Sequence, residues 1–339
     1  MKKIFLFLFF LVLNFSVAQK VEFQTLLKDK ISIRALQIYD GKVWYTGTDS
    51  KFGYVSLRDS TDKKQIKLYY KNLQFRTLAQ NKEHFFAINI ESPAYFFKID
   101  KKTLAVKTVF KDSIKSAFYD ALHFVDNNFG IALSDPNESC ATVAYTKNRG
   151  ESWKKDACNC HPGFFEGEAS FAASNTNIAS NKGIIWFATG GLKSRVFKME
   201  NNSWIAYETP FVQGTSSTGI YSIDFYDKNF GVAVGGDYTK QAKNISNIAT
   251  THDGGKTWQI QASGKNGGYK TCVKFRPNSK GKDIIAVGDQ NIEFSADYGK
   301  TWKTISEEKG LYVCDWIDEN TLVFAGKDRI VKMIFLPNK

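Results

Sequence analysis

The chain has 339 residues, with 46 Lys and Arg against 34 Asp and Glu, a formal charge of +12, and 43% hydrophobic and 15% aromatic residues. That composition can fill a large core and excludes a disordered or collagen-like chain. The positive charge is spread as single Lys residues among turn sequences, without a dense basic block, which argues against a nucleic-acid partner.

Taken in order, the chain opens with Lys2 and Lys3, an apolar run over residues 4–13, and Ser16-Val17-Ala18. A basic start, a short apolar core and a small-x-small end predict a cleaved signal peptide over residues 1–18, too brief for a stable membrane span. The mature protein, residues 19–339, is expected to be exported to the periplasm or the extracellular space. No Cys follows Ala18, so no lipoprotein anchor is expected.

Past this segment one pattern recurs: a short strand, a turn rich in Asp, Asn or Gly, then an apolar strand ending on small and acidic residues. Its copies cover residues 33–49, 75–89, 119–135, 168–191, 219–237, 272–289 and 313–326. A spacing of about 35 to 50 residues is that of four-stranded propeller blades, so seven copies predict an all-β, seven-bladed propeller forming one domain. The last copy runs out after a third strand over residues 330–335, and residues 21–27 are a strand without a blade. The N-terminal strand is therefore expected to complete the last blade, which removes an open sheet edge.

Three copies carry a further stretch, at residues 146–153, 251–258 and 295–302, with the pattern S/T-x-D/N-x-G-x-S/T-W. Here Asn148, Asp253 or Asp297 folds back on local amides, a Gly supplies positive φ, and Trp153, Trp258 or Trp302 re-enters the sheet as an apolar anchor.

In a four-stranded blade these turns join third and fourth strands, so the ends of the second strands define the opposite face. That face carries Asp49, Glu91, Asp135, Asp237 with Tyr238, Asp289 and Asp328, either as turn caps or as a binding rim. Aligning the first strands places Arg34, Arg76, Asp120, Tyr221 and Tyr312 at one equivalent position, with Glu168 within one residue of it. Such a ring either lines a solvated channel or forms a pocket of guanidiniums, carboxyls and phenols. The expected binding residues are Arg34, Arg76, Asp135, Asp237 and Tyr238. Were there catalysis, Asp120, Glu168 and Tyr221 are the candidates. A structure that places Arg34, Arg76, Asp120 and Glu168 around one opening supports the pocket.

Cys272 and Cys314 fall at similar points of consecutive repeats and read as core residues, a disulfide between them being the lesser alternative. Cys140, Cys158 and Cys160 sit in loops and could pair among themselves. Cys158, Cys160 and His161 lack the spacing of a structural zinc site, so no metal is expected. No Gly-x-Ser-x-Gly, P-loop or Gly-x-Gly-x-x-Gly run occurs, and no cofactor is expected.

The three boxes, with Asp120-Ala121, Ser134-Asp135-Pro136, Gly167-Glu168-Ala169-Ser170 and Gly235-Gly236-Asp237-Tyr238, resemble exported BNR, or Asp-box, repeat propellers. These are similar to the photosystem II stability and assembly factor family, whose bacterial members carry names such as oxidoreductase-like or glycosyl-hydrolase-like protein. The resemblance implies an exported propeller whose boxes lie on the face away from any site. The first box departs from the pattern with Asn148. Two functions stand: a monomeric scaffold holding a protein or glycan partner on its loop-rich face, or a glycosidase with a pocket at the channel. A sialidase-like site calls for three arginines and an Arg-Ile-Pro start, and Ile33-Arg34-Ala35 lacks the Pro. Fold alone does not choose between the two.

Overall fold

The computed structural model describes residues 20–137, 140–155, 163–200 and 203–336. The expected signal peptide and the loop with Cys158, Cys160 and His161 lie outside the described residues, as does the side chain of Cys140. Every described strand pairing is antiparallel, and the strands form a β-propeller of six sheets among the described residues.

Four sheets are ordinary four-stranded blades. One is built from Ala79–Gln80, His84–Ile88, Ala94–Asp100 and Val106–Asp112, the next from Tyr119–Phe124, Gly130–Asn137, Cys140–Thr146 and Lys154–Lys155. Another holds Ile178–Asn181, Ile184–Ala188, Arg195–Glu200 and Ser203–Glu208, and the last Cys272–Phe275, Ile284–Val287, Ile292–Ser295 and Lys303–Ser306. Two larger sheets have six strands each.

The expectation of seven blades is corrected to six. The 19-residue strand Val21–Tyr39 pairs along its first part with Thr321–Phe335, from Val21 opposite Phe335 to Lys28 opposite Arg329. It then runs without a break into pairing with Lys42–Gly47, from Ile33 opposite Gly47 to Tyr39 opposite Lys42. The first and last repeat copies are thereby one hydrogen-bonded sheet, which also contains Leu311–Trp316, Lys51–Ser56 and Lys63–Lys67. Residues 21–27 and the opening of the first copy, 33–49, are therefore parts of one strand and not of separate blades.

The fourth copy is also corrected. Glu168–Ala169 is not the inner strand of its own blade; it pairs with Gly190–Gly191, which bridges to Thr218–Phe225 in the following six-stranded sheet. The chain after Ala169 is tied to strands from several sheets: Asn175 Nδ2 donates to Leu78 O and Leu122 O at 2.9 and 3.1 Å, and Ser174 Oγ to Thr271 O at 2.5 Å.

Apolar side chains of adjacent sheets interlock. Trp186 stacks on Phe225 with centroids 3.8 Å apart, and Phe96 packs on Tyr119 and Trp153. The three turn tryptophans, Trp153, Trp258 and Trp302, are all buried. Cys272 and Cys314 are buried core thiols on neighbouring inner strands, with sulfurs 3.9 Å apart and no disulfide between them.

The box turns have strong local reasons to form. In residues 251–258, Asp253 Oδ1 accepts from the amides of Lys256 and Thr257 at 3.0 and 2.9 Å, and its Oδ2 from the Thr257 hydroxyl at 2.6 Å. Gly254 and Gly255 hold φ of 75° and 87°, and Trp258 Nε1 donates to Gly255 O at 3.0 Å. Asn148 copies part of this with its amide oxygen, accepting from Ser152 N at 3.1 Å.

Candidate functional site

Arg34, Asp120, Tyr221 and Tyr312 share more than an aligned position. Each is the extra residue where strand register slips by one: between Ile33 and Ala35, opposite the Leu133 and Ser134 pairings, between Ile220 and Ser222, and between Leu311 and Val313. Such a bulge re-aims one side chain while the strand continues. Repeated on four inner strands, it turns these residues towards a common cavity of about 550 Å³.

That cavity is lined by Arg34, Arg76, Asp120, Asp135, Tyr221 and Tyr238, together with Tyr269, Asp289, Tyr312 and the backbone from Ala169 to Ala173. Arg34 Nη1 donates to Ala173 O at 3.1 Å and its guanidinium lies 4.2 Å from the centre of the Tyr312 ring. Arg76 Nη1 donates to Ala172 O at 3.5 Å. Burial and then the neighbouring Arg34 charge pull the Arg76 pKa down. Both arginines are thus held by the segment that crosses from Ala169, a role the repeat pattern did not disclose.

The carboxyls are less satisfied. Asp120 is fully buried, no ion pair reaches it among the described residues, and its polar neighbours are the Asp135 carboxyl and the Ala172 backbone. Burial, and next the Asp135 carboxyl, push its pKa well above the usual carboxylate range. Asp135 Oδ1 accepts from Ser170 N at 3.2 Å, and burial raises its pKa to about 6. Two carboxyls this close share a proton, because ionising both in a buried site is costly.

Of the other sequence candidates, Glu168 does not line the cavity. It is buried in an ion pair with Arg195, whose Nη2 lies 2.6 Å from Oε2 and Nε 3.0 Å from Oε1, and Thr189 Oγ1 donates to Oε1 at 2.6 Å. Asp237 caps its own turn, accepting from Thr239 N at 2.9 Å and Thr239 Oγ1 at 2.6 Å, while the next residue, Tyr238, stands half-exposed at the cavity. Tyr221 stacks flat on Phe171 at 3.9 Å and its hydroxyl donates to Ser217 O at 2.8 Å. Burial raises its pKa, so it is a poor nucleophile. Acid, nucleophile and three arginines do not assemble, and nothing in the arrangement supports a glycosidase. Tyr269 is a lining residue missed from sequence; it precedes Cys272 in a stretch without strand signal. Of the second-strand ends, Asp289 lines the cavity with Asp135, while Asp328 Oδ1 accepts from Ile31 N at 3.2 Å.

A second cavity, of about 320 Å³, is lined by Ser174, Asn175 and Thr176 of the crossing segment and by His123, Asp224, Lys274 and Asp315. Residues 169–176 therefore contribute to both cavities.

No protein-family model matches the chain, and no curated protein matches it by sequence. Solved structures do. YCF48 bound to D1 peptide superposes with a TM-score of 0.65 at 12% identity over 94% of this chain and 97% of that one. YCF48 from Cyanidioschyzon merolae gives 0.62 at 14% over 92% and 98%. The WD40 repeats of RRP9 give 0.64 at 11% over 93% and 97%. At these identities the likeness establishes the fold: this chain is a β-propeller similar in structure to YCF48 and to WD40-repeat propellers.

Proposed function

We propose that residues 19–339 form an exported, monomeric propeller domain that acts as a binding or assembly scaffold, holding a segment of a protein partner at the cavity lined by Asp135 and Tyr238. The observation that carries this reading is the cavity itself. Residues from most of the inner strands are aimed into it by repeated bulges, yet they form no nucleophile-base pair. Rigid concave sites with a few placed polar groups are the usual form of a recognition pocket. A propeller of similar structure is known with a peptide bound, which makes a peptide the natural occupant. Export rests on the signal-like residues 1–18.

The test is capture of partners from the native envelope by the wild-type chain and by Tyr238→Ala and Arg34→Ala variants, followed by reconstitution with the purified partner. Loss of one partner in both variants, with unchanged melting temperature and unchanged capture by a box variant such as Asp297→Asn, is expected. Equal capture by all of them removes the cavity from the function. N-terminal sequencing of the secreted form should begin at Gln19; retention of Met1 in the exported fraction overturns the export reading.

A further inference from the structure

The cavity holds two guanidiniums that bond to backbone carbonyls, and a buried carboxyl whose polar neighbours are the Asp135 carboxyl and the Ala172 backbone rather than a cation. Arg34 and Arg76 are engaged by Ala173 O and Ala172 O, and no ion pair joins either of them to Asp120 among the described residues. A buried carboxyl pair without a cation is expensive to ionise unless one arrives from outside. We infer that Asp120 and Asp135 together form a subsite for one basic side chain, an ammonium or guanidinium, carried by the partner segment. This inference rests on the scaffold reading above and names the partner's chemistry.

Charge favours a cation over an anion. With the pair fully ionised, Arg34 and Arg76 face Asp120, Asp135 and Asp289, so one further positive charge brings the cavity to balance. An anion has no proton of the carboxyl pair to displace and would meet the carboxylate charge that remains. The walls suit a cation as well: Tyr221, Tyr238, Tyr269 and Tyr312 line the space, and the Arg34 guanidinium already lies over one of these rings. Glu91, whose charge acts on Arg76, and Asp237 and Asp328, whose charges act on Tyr221 and Tyr312, add further negative charge around this cluster.

Binding is then coupled to proton release. In the free protein the carboxyl pair holds a proton; the incoming cation replaces it, and the proton leaves to solvent. Since burial keeps Asp135 protonated up to about pH 6 and Asp120 higher, the cation competes best at higher pH.

The probes are N-acetyl-arginine amide and N-acetyl-lysine amide, which present only a basic side chain, with N-acetyl-glutamate amide for the opposite charge. Calorimetric titration of the full chain in two buffers of different ionisation heat reads affinity and proton release together. Expected are binding of the basic probes, release of a proton on binding, and an affinity that weakens by up to about tenfold per pH unit as the pair becomes protonated. Asp120→Asn should reduce affinity at least about tenfold, as loss of a charge-assisted pair does, and abolish the proton release. Asp135→Asn gives the same reading should the first variant fold poorly. Preference for the acidic probe, no binding of any probe, or affinity unchanged in both variants overturns the inference. Partner capture that survives Asp120→Asn but fails in Tyr238→Ala would leave the scaffold standing and remove only the cation subsite.

Discussion

Asp253 and Asp120 are the same side chain in opposite surroundings. Asp253 sits at an exposed turn and accepts from two amides and two hydroxyls, those of Thr251 and Thr257. Burial acts to raise its pKa, but these bonds outweigh it and hold the carboxyl below its ordinary value. Asp120 is fully buried at a bulge, faces another carboxyl instead of a set of donors, and its pKa is pushed up. The first carboxylate stabilises the fold and the second is carried at a cost, and a buried carboxyl without a cation is a mark of a site. Glu168 stands between them, as buried as Asp120 but paired with Arg195.

The largest effect should come from turning Glu168 into a second Asp120. Arg195→Ala leaves that carboxylate buried without its partner and should cost about 3–5 kcal/mol in denaturant unfolding at pH 7. A loss below 1 kcal/mol, on the order of a surface pair, would mean that water reaches Glu168.

Next in size is the reverse change. Asp120→Asn removes a buried carboxyl whose ionisation the fold opposes and should stabilise the protein by about 1–3 kcal/mol at pH 8, with little difference at pH 4. The sign follows from linkage. The folded pKa values of Asp120 and Asp135 lie above the unfolded one, so the native state keeps their protons longer. Their contribution favours folding at low pH and declines as pH rises from the ordinary carboxylate value through about 6 for Asp135. Melting curves of wild type and variant across this range should converge at low pH; parallel curves would show that Asp120 ionises freely.

The smallest effect is expected at the turn. Asp253→Ala should cost about 1 kcal/mol, because the lost hydrogen bonds are solvent-exposed. Its pH dependence runs the other way: a lowered folded pKa gives stability that is present above the ordinary carboxylate value and is lost as pH falls below it. The variant should therefore match wild type in strong acid and fall behind it at neutral pH. An equal loss at all pH values would assign the effect to packing of the turn.

The box turns were legible because the side-chain bonds that close them are local: Thr251, Asp253, Gly255, Thr257 and Trp258 lie within a few residues of one another. The equivalence of Arg34, Arg76, Asp120, Tyr221 and Tyr312 was legible too, since a repeat exposes matching positions. Glu168 was drawn into that ring by a strand-like pattern, Glu168-Ala169-Ser170-Phe171, although the inner strand of its blade is Ile178–Asn181. No local signal separates a strand from a segment tied to carbonyls of Leu78, Leu122 and Thr271. The blade count failed for a related reason: a repeat shows copies but not their partners, and pairing with Thr321–Phe335 and Lys42–Gly47 carries Val21–Tyr39 straight through from the last copy to the first.

By itself the sequence determined an all-β repeat, its turns and the residue types of the inner ring, because periodicity and turn chemistry act over short spans of chain. The tertiary structure alone decided six sheets, a carboxyl at Asp120 with no cationic partner, and a carboxyl at Glu168 with a full set. Burial and pairing depend on where distant strands and the crossing segment meet, and bulges of one residue set which way each side chain points.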